Sequence, residues 1–133
     1  MSTTISRWGD MDAFSFGNTP QMADDLGALV VSGAKTATCW PAVQGDLTRV
    51  GKRMVMLDGA GRGWAVIETT ELTHRRFDEV DAAFAVEEGE GSLEEWRQIH
   101  RDYFTGEGVF APDMLLCCER FRLVEVLERE SIR

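Results

Sequence analysis

The segment from Thr19 to Gly33 constrains the fold most, because both ends of one helix can be recognised in it. Thr19 is a good helix cap, and Pro20 suits the first helical position. Gly33 can adopt the left-handed conformation that ends a helix. One buried face of this predicted helix is formed by apolar residues at helical spacing, namely Met22, Leu26, Leu29 and Val30.

Two strands are predicted after this helix. The segments from Met54 to Leu57 and from Trp64 to Leu72 have the apolar and β-branched character of strands. The glycine-rich stretch between them, residues 58–63, lacks the helix start that a phosphate-binding loop needs. It is therefore interpreted as a hairpin loop.

The second half of the chain is predicted to contain two helices. Residues 77–88 mix acidic and apolar side chains, and Glu88-Gly89-Glu90-Gly91 ends this first helix. Ser92 and Glu95 form a capping box for the second helix, in which His100 is interpreted as a structural residue.

The apolar segment from Met114 to Leu127 predicts one long bent strand or two short ones. A helix, a hairpin, further helices and a closing strand indicate an α+β fold, most simply a compact barrel with helices packed outside. The length of 133 residues and the 44% apolar content fit a single domain over residues 1–133.

Charge excludes some functions. The net charge of −9 argues against a protein that mainly coats nucleic acid, because phosphate binding depends on lysine and arginine. However, residues 31–76 hold seven basic against four acidic side chains, whereas residues 77–113 hold eleven acidic against two basic ones. This asymmetry reflects either solvated faces, the more common case, or a locally basic rim beside an acidic lobe. Such a rim would suit a small nucleoside or short RNA better than a long polyanion.

No targeting segment, metal or cofactor is expected. The first twelve residues carry Arg7, Asp10 and Asp12 without an apolar run, and no stretch approaches the roughly 20 apolar residues of a membrane span. We therefore expect a soluble, cytoplasmic protein with no membrane contact. Neither a disulfide framework nor a zinc site is indicated by the three cysteines and two histidines, which are Cys39, Cys117, Cys118, His74 and His100.

The segment from Gly33 to Trp40 is the strongest candidate for chemistry, because it places Lys35 and Thr38 among apolar neighbours. A threonine hydroxyl is a nucleophile only if a neighbour removes its proton, which a desolvated lysine can do. In a straight strand these two side chains would point to opposite faces. The hypothesis therefore requires a bend or bulge after Gly33.

Five motifs in order resemble the ASCH domain family, whose fold is similar to the PUA RNA-binding barrel. They are Phe16-Gly17-Asn18, Gly33-x-Lys35-Thr36-Ala37-Thr38, Ala65-Val66-Ile67-Glu68-Thr69-Thr70, Glu88-Gly89-Glu90-Gly91 and Leu93-x-x-Trp96-Arg97-x-x-His100. The resemblance implies association with RNA or modified nucleosides. A small bacterial member is an amidohydrolase that removes the acetyl group from acetylcytidine, larger members have been described as ribonucleases, and others are thought only to bind RNA.

The resemblance implies which residues act. The lysine of the amidohydrolase falls on Lys35, the threonine three residues later on Thr38, and the later glutamate on Glu88 or Glu90. The amidohydrolase type often has an arginine two residues after the threonine, where this chain has Trp40. This aromatic ring either stacks on a base or lies in the core.

Substrate binding is assigned to five residues: Phe16, Thr36, Trp40, Lys52 and Arg53. A ribonuclease would use Lys35 together with Lys52 or Arg53 to stabilise a phosphorane, which these residues support less well than amide hydrolysis. No obligatory protein partner is indicated. The sequence leaves amidohydrolase, ribonuclease and simple binding as alternatives, in that order.

Overall fold

The structure is a computed structural model in which residues 11–89 and 91–129 are described. Within these residues the α+β class predicted from the sequence is confirmed. The elements in chain order are β1 (Ala13–Phe14), α1 (Pro20–Ser32), β2 (Ala37–Pro41), a 3-10 helix (Ala42–Gln44), β3 (Arg53–Leu57), β4 (Gly63–Arg76), a second 3-10 helix (Phe77–Glu79), α2 (Ala82–Glu87), α3 (Leu93–Gly106) and β5 (Leu115–Val126).

The strands form one mixed sheet in the order β1-β3-β4-β5-β2. β1 is parallel to β3, and all other neighbouring pairs are antiparallel. Among the described residues β1 and β2 do not pair, so the hydrogen-bonded sheet is open. Phe14 of β1 and Trp40 of β2 nevertheless line one cavity. The sheet is therefore curled, and its two end strands meet at that cavity.

Two helices begin or end where the sequence predicts, because local hydrogen bonds set their boundaries. The hydroxyl of Thr19 accepts a bond from the Met22 amide and caps α1, and Gly33 ends it with a φ of 87°. Ser92 and Glu95 form the predicted capping box of α3. The structure thus confirms both signals.

The single helix predicted over residues 77–88 is wrong. A 3-10 helix (Phe77–Glu79) is followed by α2 (Ala82–Glu87). Asp81 separates them, because its extended backbone and its carboxylate, which accepts from the Phe84 amide, start a new helix. The closing segment is one long strand, β5, and register shifts in its pairing with β4 bend it.

The core lies on both faces of the sheet, as the side chains of β5 show, since they point alternately to one face and the other. Leu116 and Cys118 belong to an apolar cluster with Phe84 of α2 and Trp96 of α3. Phe121, which points the other way, packs in a second cluster that includes a residue of α1. Within the described part of the chain, no helix is both long and apolar enough to cross a membrane.

Candidate active site

The bend required after Gly33 is present. The amide of Lys35 donates to the Leu29 carbonyl at 3.1 Å, and the amide of Thr36 donates to the Glu87 carbonyl. β2 begins only at Ala37, so Lys35 precedes the strand and the alternation of strand side chains does not govern it. Lys35 and Thr38 consequently line the same small cavity.

Glu88 faces Lys35 at the inner end of this cavity. Glu88 directly follows α2, and Gly89, with a φ of 82°, turns the chain away behind it. The Nζ atom of Lys35 donates to the backbone oxygen of Glu88 at 3.2 Å and lies 3.5 Å from its Oε1. Both side chains are only 2% exposed. Lys35 and Glu88 therefore form a buried ion pair. The Nζ atom of Lys35 also lies over the ring of Phe16, 5.2 Å from its centre, as in a cation–π contact.

Three further side chains meet Glu88. The indole Nε1 of Trp96 donates to Oε2, the Nε2 of His100 lies 3.2 Å from Oε2, and the Sγ of Cys39 donates to it at 3.5 Å. The Nδ1 of His100 is 3.0 Å from the carbonyl oxygen of Trp96. A carbonyl and an ionised carboxylate can only accept, so both ring nitrogens carry protons when both bonds form. This geometry favours an imidazolium at His100.

The charges determine how these groups ionise. Burial by itself raises the pKa of Glu88, but the charges of Lys35 and His100, with the bonds from His100 and Trp96, lower it from 4.5 to about 2. Burial, reinforced by the Glu88 carboxylate, holds the pKa of the Cys39 thiol well above its usual range. One carboxylate thus faces the Lys35 ammonium group and, when the His100 ring is protonated, a second cation.

A metal ion does not suit this cluster. Donor atoms of Cys39, Glu88 and His100 lie within 4.8 Å of one another. However, the ammonium group of Lys35 lies 3.5 Å from the same carboxylate and would repel a metal cation. Lys35 takes the position that a cation would occupy beside Glu88.

The small cavity, of about 110 Å³, adjoins a larger one of about 510 Å³. Both have Phe16, Gly17, Thr38, Cys39, Tyr103 and Phe104 in their walls. The larger cavity adds the rings of Phe14 and Trp40 and the carboxyl group of Glu119. An aromatic chamber therefore leads to the charged pair.

Glu119 is a second buried carboxyl group near the site, and it lines the larger cavity. It is the cross-strand partner of Thr38 in the pairing of β2 with β5. The hydroxyl of Thr69 donates to its Oε2 at 2.7 Å, and the hydroxyl of Thr48 lies 2.7 Å from that of Thr69. Burial raises the pKa of Glu119, although the Thr69 bond and the charge of Lys35 oppose the rise. The cavity therefore offers an acceptor or, when Glu119 is protonated, a donor beside Thr38.

The sequence profile of the ASCH domain matches residues 12–125. The chain belongs to the ASCH domain family. No protein with a curated description matches it significantly. The family match and the similar solved structures also support the PUA-like fold that the sequence motifs imply.

Solved structures of similar proteins agree with this assignment. The chain is 35% identical to a protein of Enterococcus faecalis V583, with a TM-score of 0.79 over 86% of this chain and 77% of that one. It is 30% identical to an ASCH domain of Lactobacillus crispatus JV V101, with a TM-score of 0.77 over 90% and 86% of the two chains. An ASCH protein of Zymomonas mobilis is 12% identical, with a TM-score of 0.62 over 92% and 72% of the two chains, and shares the fold.

This ASCH domain brings part of the predicted site together. Lys35, Thr38 and Glu88 meet at the small cavity, while Glu90 lies outside the described residues. Phe16 and Trp40 line the larger cavity. The indole Nε1 of Trp40 donates to the Gly45 carbonyl, so the ring is held at the cavity wall by its polar edge.

The other predicted binding residues lie elsewhere in the ASCH domain. Thr36 is exposed and lines neither cavity. Lys52 pairs with Asp12, Arg53 pairs with Glu68, and neither basic side chain lines the two cavities. The basic rim expected from the sequence therefore does not reach the site through these two residues.

The sequence patterns do not identify several side chains that the structure places at the site. Trp96 and His100 are four residues apart in α3 and thus lie on one helical face, a spacing that could have paired them. No comparable signal marks Glu119. Arg120 of β5 donates from Nε to the Glu87 carboxylate at 2.6 Å and also pairs with Glu71. This arginine anchors the residue before Glu88.

Proposed function

We propose that this ASCH domain is a hydrolase acting on a nucleoside or short RNA, and that it hydrolyses the amide of an acetylated cytidine-type substrate. The buried pair of Lys35 and Glu88, beside Thr38, carries the proposal. Removing two charges from water is costly unless they are paired, and such an arrangement in a cavity is typical of a functional site.

The larger cavity supports a nucleoside as substrate. Its volume of about 510 Å³ falls in the range of small-molecule sites. A planar base can stack on aromatic rings such as those of Phe16 and Trp40. In this position the acetylated amine would point toward Thr38 and the end of the small cavity that holds Lys35.

In the proposed reaction, the Thr38 hydroxyl attacks the amide carbonyl carbon while Lys35, as the free amine, accepts its proton. When the His100 ring is protonated, its charge stabilises the oxygen anion that develops, since both ring N–H groups already donate to Glu88 and to Trp96. Collapse of the intermediate breaks the C–N bond, and Lys35 returns the proton to the leaving amine. Water then hydrolyses the acetyl ester on Thr38. Glu88 holds the Nζ atom of Lys35 in place.

A binding module without chemistry is the second candidate, and one observation favours it. The ionised carboxylate of Glu88 stabilises the ammonium form of Lys35, and an ammonium group cannot accept a proton. In this alternative Lys35 only contacts a carbonyl or phosphate oxygen. Phosphodiester cleavage ranks below both, because Lys52 and Arg53 are paired with carboxylates outside the cavities.

The test compares acetylated cytidine with single-stranded RNA at high enzyme concentration. Thr38→Val keeps the shape of the side chain and removes only the hydroxyl, whereas Thr38→Ser keeps a nucleophile. We expect turnover of acetylcytidine to be lost in the valine variant and partly kept in the serine variant. Thr36→Val is the matched control and should remain active.

If the wild-type protein binds acetylcytidine or RNA and converts neither, the binding module is the correct description. Cleavage of RNA alone would establish the ribonuclease. An active Thr38→Val variant would exclude the covalent mechanism.

A further inference from the structure

We propose that Asp46, His74 and Cys117 form a Zn²⁺ site, separate from Lys35 and Glu88, that holds one wall of the larger cavity in place. The proposal is independent of the hydrolase reaction, because it depends only on the position of these side chains.

The donor atoms are close enough to share one ion. The Nε2 of His74 lies 2.8 Å from the Oδ1 of Asp46, and the Sγ of Cys117 lies 3.6 Å from the same oxygen. All three donor atoms lie within 4.8 Å of one another. Zinc bonds of about 2.0 to 2.3 Å in a tetrahedron separate the donors by roughly 3.3 to 3.6 Å. Small side-chain shifts are therefore sufficient to bind the ion.

Two of the three ligands are on rigid backbone. His74 of β4 and Cys117 of β5 are cross-strand partners, so their side chains project from the same face of the sheet. Trp40 of β2 is the next partner of Cys117 in the same row. Asp46 comes from the loop that follows the 3-10 helix, and the bond from the Trp40 indole to the Gly45 carbonyl, at 2.8 Å, holds that loop over the row.

The donor set suits zinc. One imidazole, one thiolate and one carboxylate are all ligands that Zn²⁺ accepts, and three protein ligands leave the fourth position to water. The carbonyl oxygen of Gly45 lies 3.6 Å from the Sγ of Cys117. It already accepts a hydrogen bond from the Trp40 indole, so it is not counted among the ligands. The side chains of His74 and Asp46 are 46% and 55% exposed, which gives an ion access from solvent.

The two donor clusters differ in charge. At the cluster of Cys39, Glu88 and His100, the ammonium group of Lys35 lies 3.5 Å from the carboxylate and would repel a divalent cation. At the proposed zinc site, Asp46 has only His74 as an ion-pair partner among the described residues, so its carboxylate would attract the cation. Of the two donor clusters among the described residues, the one formed by Asp46, His74 and Cys117 is therefore the better suited to a metal ion.

Zinc at this position would act on the larger cavity. Residues on both sides of Asp46 line that cavity, among them Gln44, Leu47 and Thr48. Thr48 is already tied to the sheet through the Thr69 hydroxyl. A bond from the metal to Asp46 would add a second anchor, so the ion would fix the loop and the cavity wall that it forms.

The experiment uses the full chain after treatment with a chelator and dialysis. Zn²⁺ alone is titrated by calorimetry, and Co²⁺ replaces it as a probe because cobalt bound to a thiolate absorbs in the near ultraviolet. We expect one ion per chain. His74→Gln, Asp46→Asn and Cys117→Ser should each weaken binding by about tenfold or more.

Two variants are matched controls. Cys118→Ser alters the next residue of the same strand, whose side chain points to the opposite face and packs with α2 and α3. His100→Gln disables the other donor cluster. Both should bind Zn²⁺ like the wild type, with the cobalt–thiolate absorption retained.

Absence of binding in the calorimeter and the cobalt spectrum overturns the proposal. So does binding that survives in His74→Gln and Cys117→Ser, or binding that only His100→Gln removes. His74 and Asp46 are at the surface, so their variants keep the test valid if Cys117→Ser fails to fold.

Discussion

Replacing Glu88 with glutamine tests the electrostatics of the site, because the substitution removes one charge and keeps the shape of the side chain. Glu88 is 2% exposed and lies 3.5 Å from Lys35 and 3.2 Å from His100. At neutral pH the variant leaves the buried Lys35 ammonium group without its carboxylate, and His100 without its charged acceptor. We expect a loss of about 3 to 5 kcal/mol in the free energy of unfolding.

The pH dependence follows from the pKa of Glu88. Burial tends to raise this pKa, but Lys35 and His100 lower it from 4.5 to about 2. At 1.36 kcal/mol per pKa unit, this difference of about 2.5 corresponds to about 3 kcal/mol of stability. Because the folded-state pKa is the lower one, the contribution is complete above about pH 5. It is lost as the pH falls from 4.5 toward 2, and about 1 kcal/mol of it is gone by pH 3.5.

The assay is urea unfolding of the wild type and of Glu88→Gln between pH 5.5 and 3.5. The other acidic side chains are the same in both proteins, so their contributions to the pH dependence cancel. The difference in unfolding free energy between the two proteins therefore reports on Glu88. We expect this difference to shrink by about 1 kcal/mol over that range. Glu94→Gln, at an exposed position in the first turn of α3, serves as the matched control.

A difference that stays constant between pH 5.5 and 3.5 would show that the pKa of Glu88 is not lowered in the folded protein. A second measurement does not depend on the folding of the variant. The carboxyl carbon of Glu88 in the wild type should titrate by NMR near pH 2. A midpoint near 4.5 would mean that Lys35 and His100 do not stabilise its charge.

Two further predictions concern the same site. If Lys35 is the base that activates Thr38, kcat/KM for acetylcytidine should rise with pH as the free amine becomes populated. A rate that falls over the alkaline range would make the ammonium the active form. Gly89→Ala places a side chain at a φ of 82°, 3.5 Å from the Cβ of Lys35, and should cost about 1 to 2 kcal/mol in unfolding free energy while lowering turnover. Gly33→Ala, also at positive φ but with no atom within 4 Å of the added carbon, should lower stability and leave turnover unchanged; equal turnover in the two variants would contradict the prediction.

Local features of the sequence specify the boundaries of the helices that support the site. Thr19 and Gly33 delimit α1, and Ser92 with Glu95 starts α3, because the groups that satisfy the helix ends are nearby in the chain. The hairpin of β3 and β4 is also local. From the sequence alone, the family motifs point to Lys35, Thr38 and one of Glu88 and Glu90.

The partners of those residues are distant in the chain, so local patterns do not reveal them. The sequence predicts a structural role for His100, whose Nε2 lies 3.2 Å from Glu88 in the structure. It predicts that Lys52 and Arg53 bind substrate, whereas in the structure they pair with Asp12 and Glu68 outside the cavities. Which charged residues pair across long stretches of sequence depends on how the sheet curls. No short segment of the chain specifies that curvature.

The sequence by itself specified both ends of α1 and the start of α3, because their capping groups are local, and it singled out Lys35 and Thr38 as candidates for chemistry. The tertiary structure set the burial of Lys35 against Glu88, because the turn after Gly33 and the turn at Gly89 bring the ends of two helices to one point. It also decided that Asp46 lies beside His74 and Cys117, since a loop must fold over two paired strands to bring these donors together.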